Sequence, residues 1–113
     1  MKIEKFHIYL ADLNPKQDTE PGKVRPVVVI QTDLLNNTHL STVVCPMTTQ
    51  IVEETKILRV HISKKESKLE KDSDILVDQI RAVDNRRFLK HLGKLGAQHQ
   101  QKLLENLKVL ILE

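Results

Sequence analysis

Three short polar clusters stand at the ends of apolar segments in this 113-residue chain. They are Glu20, Lys23 and Arg25 in TEPGKVRP, then Thr48, Thr49 and Gln50 in MTTQ, and last Asp78, Gln79 and Arg81 in VDQIR. A guanidinium can hold phosphate oxygens through two parallel hydrogen bonds, while hydroxyl, carboxylate and amide groups hydrogen-bond other polar ligands. An arginine just before the run VVVI is unusual, but an edge charge paired with Glu20 or Asp78 explains it equally well.

The familiar enzyme motifs do not occur in this sequence. It contains no GxSxG, no P-loop, no HExxH and no GxGxxG. The five histidines do not pair at metal-binding spacing, so a surface role is favoured for each, with His7 and His39 as weak catalytic candidates. The single cysteine, Cys45, excludes an internal disulfide, and its apolar surroundings predict a small buried thiol.

Composition indicates one folded, soluble domain over residues 1–113. Hydrophobic residues make up 40% and charged residues 29% of the chain. The net charge of +3 permits a nucleic-acid partner without requiring one. Four lysines crowd one stretch, where a solvated segment is favoured over a phosphate-binding patch: Lys64, Lys65, Lys68 and Lys71.

No segment of the sequence predicts contact with a membrane. Apolar runs stay well short of the roughly 18 residues that a membrane helix needs. The N-terminus, MKIEKFHIYLADL, lacks the long apolar core of a signal peptide. A cytoplasmic location is the prediction that follows.

The clusters must be positioned by a sheet, because β-branched and alternating segments dominate the chain. Strands are predicted over 7–13, 24–31, 40–47, 57–62, 74–84 and 89–95, and a loop over 14–22. Helical turns are predicted over 33–39, with Asp33 as N-cap, and over 85–88. An amphipathic helix is predicted from Leu103, Leu104, Leu107, Leu110 and Ile111. This order indicates a small, strongly bent antiparallel sheet or partly open barrel, capped by a C-terminal helix.

The ordered segments YLADLNP, EPGKVRPVVVIQ, VVCPMTTQ and LVDQIRAVD resemble the MazF/PemK family of toxin endoribonucleases. The resemblance implies a mainly β, SH3-like barrel of the PemK/CcdB type with a C-terminal α-helix, and a homodimer. It implies sequence-specific cleavage of single-stranded RNA, as in an mRNA interferase, with no metal and no cofactor. The 2′-hydroxyl attacks, leaving 2′,3′-cyclic phosphate and 5′-hydroxyl ends. An acidic, MazE-like antitoxin is the implied partner.

The resemblance also assigns roles to individual residues. The catalytic arginine and threonine fall on Arg25 and Thr48. RNA-binding residues are expected at Thr19, Glu20, Lys23, Thr49, Gln50, Asp78 and Gln79. Of these, Glu20 is the substrate-contacting acid of the loop, and Asp78 with Gln79 is the acid–glutamine pair after the later strand.

The chain departs from the family's pattern at two places. Many members have a Gly-Asp pair where this chain has Phe6 and His7, which affects a turn rather than catalysis. PemK-type members place an arginine where Leu76 stands and a histidine at a loop position that is not histidine here, so their acid–base scheme does not transfer. The general base is left unassigned, with Glu20 and Asp78 as candidates. Our hypothesis is that Asp78 orients Arg25 or contacts a base edge.

Two other functions remain open at this point. The same barrel, by family resemblance, occurs in CcdB-like toxins that bind gyrase without being enzymes, and fold alone does not separate the two. A non-toxic SH3-like binding module is the second alternative. Arg25 together with Thr48 favours the nuclease, because a gyrase binder has no need of that pair.

Overall fold

The computed structural model describes residues 1–14, 23–52, 58–66 and 68–113. Within them lie the strands β1 (His7–Asp12), β2 (Val24–Val29), β3 (Ser41–Thr48), β4 (Arg59–Ile62), β5 (Ser73–Leu76), β6 (Arg81–Asp84) and β7 (Phe88–Lys94). The helix α1 spans Ala97–Leu112, and short 3-10 turns span Lys64–Glu66, Val77–Gln79 and Asn85–Arg87. The order of strands, turns and helix therefore agrees closely with the prediction. Most of the predicted loop over 14–22 lies outside the described residues.

All strand pairs are antiparallel and join into one bent sheet. The strand order is β4-β5-β3-β2-β1-β7, and β6 also pairs with β3. Across the described residues the two outer strands, β4 and β7, do not pair with each other, so the sheet is not closed. The prediction of a mainly β fold with a C-terminal helix is confirmed, in its partly open form.

The sheet buries apolar residues on both faces, because side chains alternate along each strand. One face packs Tyr9, Val27, Val29 and Val44 beneath the N-terminal segment. The other packs Ile8, Val28, Cys45 and Met47 against sheet residues that curl over them and against Leu103 of α1. The predicted burial of the Cys45 thiol is confirmed.

The prediction of a single strand over 74–84 is wrong. Residues 73–76 and 81–84 are separate strands, and both pair with β3. Met47 faces Ile75 whereas Val44 faces Arg81, so the chain advances six residues where β3 advances three. The 3-10 turn Val77–Gln79 takes up the difference, as a bulge takes up extra residues in one strand of a pair.

Two further local predictions need correction. The turn over 33–39 forms, but the side chain of Thr32 rather than Asp33 accepts its first backbone hydrogen bond, from Leu34 N at 3.3 Å. The Asp33 carboxylate instead accepts from Lys5 N and from the side chain of Asn36. In α1, only Leu103 is fully buried, and Leu104, Leu110 and Ile111 stay exposed.

No helix of the described ranges is long and apolar enough to cross a membrane.

Candidate active site

Arg25 and Thr48 lie together in a cavity at the ends of β2 and β3. The cavity has a volume of about 250 Å³. Its described lining consists of Lys23, Val24, Arg25, Pro26, Met47, Thr48, Thr49 and Ser73. Four of the residues expected from sequence, Lys23, Arg25, Thr48 and Thr49, are therefore brought to one place.

The register of β2 and β3 explains why Arg25 and Thr48 share this cavity. Val27 of β2 faces Pro46 of β3. Arg25 precedes Val27 by two residues and Thr48 follows Pro46 by two, so in antiparallel strands both lie on the same side of that pair. Residues two apart on a strand share a face, so both side chains project from the same side of the sheet. On its other side, Arg25 is paired in register with Ala11 of β1. Pairing with β1 thus fixes the backbone of Arg25, while β3 pairs with β2 from Val27 onward.

The Thr48 hydroxyl is fixed by the chain that follows it. Thr48 is only 8% exposed, and its Oγ1 accepts a hydrogen bond from the backbone N–H of Gln50 at 3.1 Å. This bond ends the strand, which is a common structural role for threonine. It uses the hydroxyl oxygen and not the hydroxyl hydrogen, so the O–H can still donate to a ligand.

Lys23 is held at the rim of the cavity by two backbone contacts. Its N–H donates to Asn14 Oδ1 at 2.7 Å, and its carbonyl accepts from Leu13 N–H at 2.8 Å. Its φ of 66° is in the left-handed region, which costs a non-glycine residue about 1–2 kcal/mol. The contacts to the end of β1 offset that cost and set where β2 begins.

A second cavity, of about 420 Å³, adjoins the first. The two share Val24, Pro26, Thr49 and Ser73. The floor of the larger cavity is apolar, with Leu10, Leu69 and Leu92, and its wall carries four charged residues: Lys68, Glu70, Lys71 and Lys90. Leu10 of β1 lies between Pro26 of β2 and Lys90 of β7 in the sheet. This row brings a lysine of the last strand to the site.

This cavity revises the interpretation of the lysine-rich stretch. Lys64 and Lys65 are exposed in a 3-10 turn, as the favoured interpretation held. Lys68 and Lys71 instead line the second cavity together with Lys90, which the sequence did not single out. The three lysines and Glu70 give this wall a net charge of +2.

The remaining expected residues do not line the Arg25 cavity in the described part of the chain. Asp78 is exposed and Gln79 partly exposed on the 3-10 turn Val77–Gln79, which contacts α1. Gln50 is exposed beyond the end of β3. Thr19 and Glu20 lie outside the described residues.

Asp74, His61 and Arg59 form a polar cluster beside Thr48 that the sequence analysis missed. Asp74 of β5 is buried and faces Thr48 of β3 on one side and His61 of β4 on the other. A carboxylate inside the apolar segment SDILV, with a basic residue at alternate positions of LRVHI, is the signal that could have indicated the cluster. Ser73, which lines both cavities, was missed as well.

The cysteine and three of the histidines lie outside these two cavities. Burial raises the pKa of the Cys45 thiol to about 12, with a further contribution from the Asp78 carboxylate, so the thiolate needed for nucleophilic attack is suppressed. His7 Nδ1 and His91 Nε2 share a hydrogen bond of 2.9 Å near the start of β1. Burial lowers the pKa of His7, Glu4 opposes this shift, and His91 and Lys94 add to it. His39 is exposed on the turn before β3.

Comparison with known proteins gives a consistent result. Residues 4–111 match the family described as PemK-like, MazF-like toxins of type II toxin–antitoxin systems. The endoribonuclease MazF of Staphylococcus epidermidis is 42% identical over 104 residues, which are 91% of this chain and 83% of that protein.

Solved structures with the same fold include MazF from Deinococcus radiodurans (Form-I). It is 19% identical with a TM-score of 0.85, and the match covers 100% of this chain and 99% of that one. The structure of MazE-MazF (Form-II) from the same organism matches at 19% identity and a TM-score of 0.78, over 98% and 96% of the two chains. The family match covers nearly the whole chain, and the predicted membership is confirmed: the chain belongs to the PemK-like, MazF-like toxins of type II toxin–antitoxin systems.

Proposed function

We propose that this chain is a sequence-specific endoribonuclease toxin that cuts single-stranded RNA, chiefly messenger RNA, without a metal ion. The observation that carries the proposal is the cavity in which Arg25 and Thr48 lie at adjacent strand ends, in a chain of this family. The RNA's own 2′-hydroxyl attacks the neighbouring phosphorus, giving a 2′,3′-cyclic phosphate and a 5′-hydroxyl. DNA lacks that hydroxyl, so the reaction itself selects RNA.

Arg25 stabilises the phosphate during this attack. Its planar guanidinium can donate two parallel hydrogen bonds to non-bridging oxygens, and these strengthen as negative charge develops. A guanidinium has no acceptor site and holds its hydrogens too tightly to serve as a general base, so Arg25 does not fill that role. It can act as the acid toward the departing 5′-oxygen.

Thr48 supplies a second, neutral donor at the same phosphate. Its oxygen is fixed by Gln50 N–H, which leaves its hydrogen to donate to a phosphate oxygen or to orient the 2′-hydroxyl. Because the residue is almost fully buried, this donor is preorganised and competes little with water.

The adjoining lysine-walled cavity receives the RNA on one side of the cut. Lys68, Lys71 and Lys90 can pair with flanking phosphates, and the leucine floor can support a nucleobase. Thr49 lies where the two cavities meet. Single-stranded RNA is recognised with its bases turned outward and their edges hydrogen-bonded, so Lys23, Thr49 and Gln50 are placed to contribute contacts. Thr19, Glu20, Asp78 and Gln79 complete the proposed RNA-binding set.

Two protein partners belong to the proposal. An acidic antitoxin of the MazE kind would be attracted to the lysine wall and could block the RNA site. A homodimer would cover apolar side chains that α1 leaves exposed, among them Leu104, Leu110 and Ile111. Because messenger RNA is the substrate, a cytoplasmic location goes with the proposal.

The test is incubation of the purified protein with a long transcript in the presence of EDTA, followed by primer extension. The wild type should give discrete fragments, and Arg25→Ala should cut about 10²–10³ times more slowly, because a preorganised donor to the developing charge is lost. Arg86→Ala is the matched control, since Arg86 is an exposed arginine that forms an ion pair with Asp84 and does not line the cavity. It should cut like the wild type.

The same assay separates the alternative toxin function. Intact RNA beside inhibited gyrase would overturn the nuclease proposal in favour of a gyrase binder. Equal cleavage by Arg25→Ala and the wild type would remove Arg25 from the mechanism.

A further inference from the structure

We infer that His61, held in place by Asp74, forms a second RNA-contacting site that binds the 2′-hydroxyl of a nucleotide flanking the cut. The inference rests on the proposed RNA-cleaving function and adds to it a recognition site on β4. It is carried by the register of four adjacent strands and by the hydrogen bonds around one buried carboxylate.

His61 belongs to the same row of side chains as the cleavage site. Thr48 of β3 faces Asp74 of β5, and Asp74 faces His61 of β4. Directly facing residues project from the same side of a sheet, so the three side chains share the face that carries Arg25. Adjacent strands lie about 4.8 Å apart, which places the His61 backbone about 10 Å from that of Thr48. This separation suits contact with a flanking nucleotide rather than with the scissile phosphate.

Asp74 fixes the orientation of the His61 ring. Its side chain is 4% exposed, and Oδ1 lies 3.1 Å from His61 Nδ1. A carboxylate oxygen accepts hydrogen bonds, so we assign the donating hydrogen to Nδ1, and in this tautomer Nε2 is an acceptor. The His61 side chain is 54% exposed, so a ligand can approach it.

Arg59 links the Asp74–His61 pair to the segment that follows Thr48. Its Nη1 lies 3.4 Å from Asp74 Oδ2 and donates to the backbone carbonyl of Gln50 at 2.9 Å. The N–H of the same Gln50 holds the Thr48 hydroxyl. An unbroken set of hydrogen bonds therefore links His61 to Thr48 through Asp74, Arg59 and Gln50, which keeps the ring at a fixed position relative to the cleavage site.

The chemistry of the exposed nitrogen identifies the ligand group. An acceptor nitrogen pairs with a donor, and the donor that RNA offers along its backbone is the ribose 2′-hydroxyl. A phosphate oxygen only accepts and does not match an acceptor nitrogen. His61 thus selects ribose at a nucleotide that does not itself react, in addition to the selection imposed by the attacking hydroxyl.

The experiment uses short single-stranded RNAs carrying the cleavage sequence mapped by primer extension. In each, one flanking nucleotide has its 2′-hydroxyl replaced by hydrogen, while the attacking hydroxyl is kept. The wild type should lose about three- to tenfold in kcat/KM at one flanking position, the value of one hydrogen bond. His61→Ala should lose the same factor on all-ribose RNA and be indifferent to the replacement at that position. His39→Ala, which removes an exposed histidine elsewhere, should behave like the wild type.

Three results bear on the inference in different ways. If His61→Ala keeps the wild-type penalty at every flanking position while remaining folded by circular dichroism, His61 only anchors β4 and the inference is overturned. His61→Gln, whose amide oxygen can still accept, should retain part of the discrimination, and its complete loss in a variant that is folded by circular dichroism would also count against the inference. A wild type that leaves all-ribose RNA intact overturns the proposed function and this inference with it.

Discussion

Strand β3 places a threonine near each of its ends on the same face of the sheet, and the two threonines make different hydrogen bonds. Thr42 near the start of β3 and Thr48 at its end are both buried and lie six positions apart, so they share a face. The Thr42 hydroxyl donates to Asn85 Oδ1 at 2.7 Å, whereas the Thr48 hydroxyl accepts from Gln50 N–H. One threonine has its donor occupied inside the protein, and the other has its donor available for a ligand.

The acids beside the two ends differ in burial and in their partners. Asp84 faces Ser41 at the start of β3 and forms an exposed ion pair with Arg86 at 2.8 Å. Asp74 faces Thr48 at the end of β3 and is buried between Arg59 and His61. Residue type alone does not distinguish the two ends of β3. The direction of the threonine hydrogen bond, the burial of the neighbouring acid and its partners across the sheet do.

The largest expected effect separates the two threonines. Thr48→Val should slow RNA cleavage about 10²-fold, because it removes a preorganised donor without changing the shape of the side chain much. Thr42→Val should leave cleavage unchanged and lower the free energy of unfolding by about 1 kcal/mol, because the Asn85 carbonyl loses its donor. Single-turnover cleavage and urea denaturation measure the two quantities. Thr48→Ser, which keeps the hydroxyl, should recover most of the rate, and equal cleavage by both valine variants would break the comparison.

The next effect concerns the two acids. Asp74→Ala should lower the free energy of unfolding by about 2 kcal/mol, since Arg59 and His61 lose a buried, hydrogen-bonded partner. Asp84→Ala should change the denaturation midpoint little, because an exposed ion pair contributes little to stability. Urea denaturation followed by circular dichroism compares them directly. A larger loss in the Asp84 variant would contradict the assignment of the buried acid to the Thr48 end.

The smallest effect is the pH dependence of the exposed pair. Hydrogen bonds from the side chain and backbone of Arg86 lower the pKa of Asp84 from 3.8 to about 2. A lowered carboxyl pKa stabilises the fold above the unfolded value and loses that contribution as the pH falls toward the folded value. The difference in Tm between the wild type and Arg86→Ala should be constant above about pH 5 and vanish between pH 4 and 2. A difference that grows on acidification would show that the pair does not lower this pKa.

Much of the fold was accessible from sequence because its signals are local. The β-branched run VRPVVVI predicted β2, the spacing of leucines predicted α1, and the ordered motifs predicted the family. The prediction of a single strand over 74–84 was wrong because the break there is set by pairing with β3 and not by the local sequence. Asp33 failed as an N-cap because distant Lys5 and nearby Asn36 engage its carboxylate.

The sequence alone was enough to predict the strand-forming segments, the final helix and, through the family resemblance, Arg25 and Thr48 as the proposed catalytic residues. Only the tertiary structure decided which side chains meet across the sheet. The register set Asp74 between Thr48 and His61, and it brought Lys90 of β7 to the cavity that Lys68 and Lys71 also line. Register depends on pairing between segments far apart in the chain, and shifting it by one residue moves every side chain to the opposite face. No local pattern carries that information, which is why the His61 site became visible only in the folded chain.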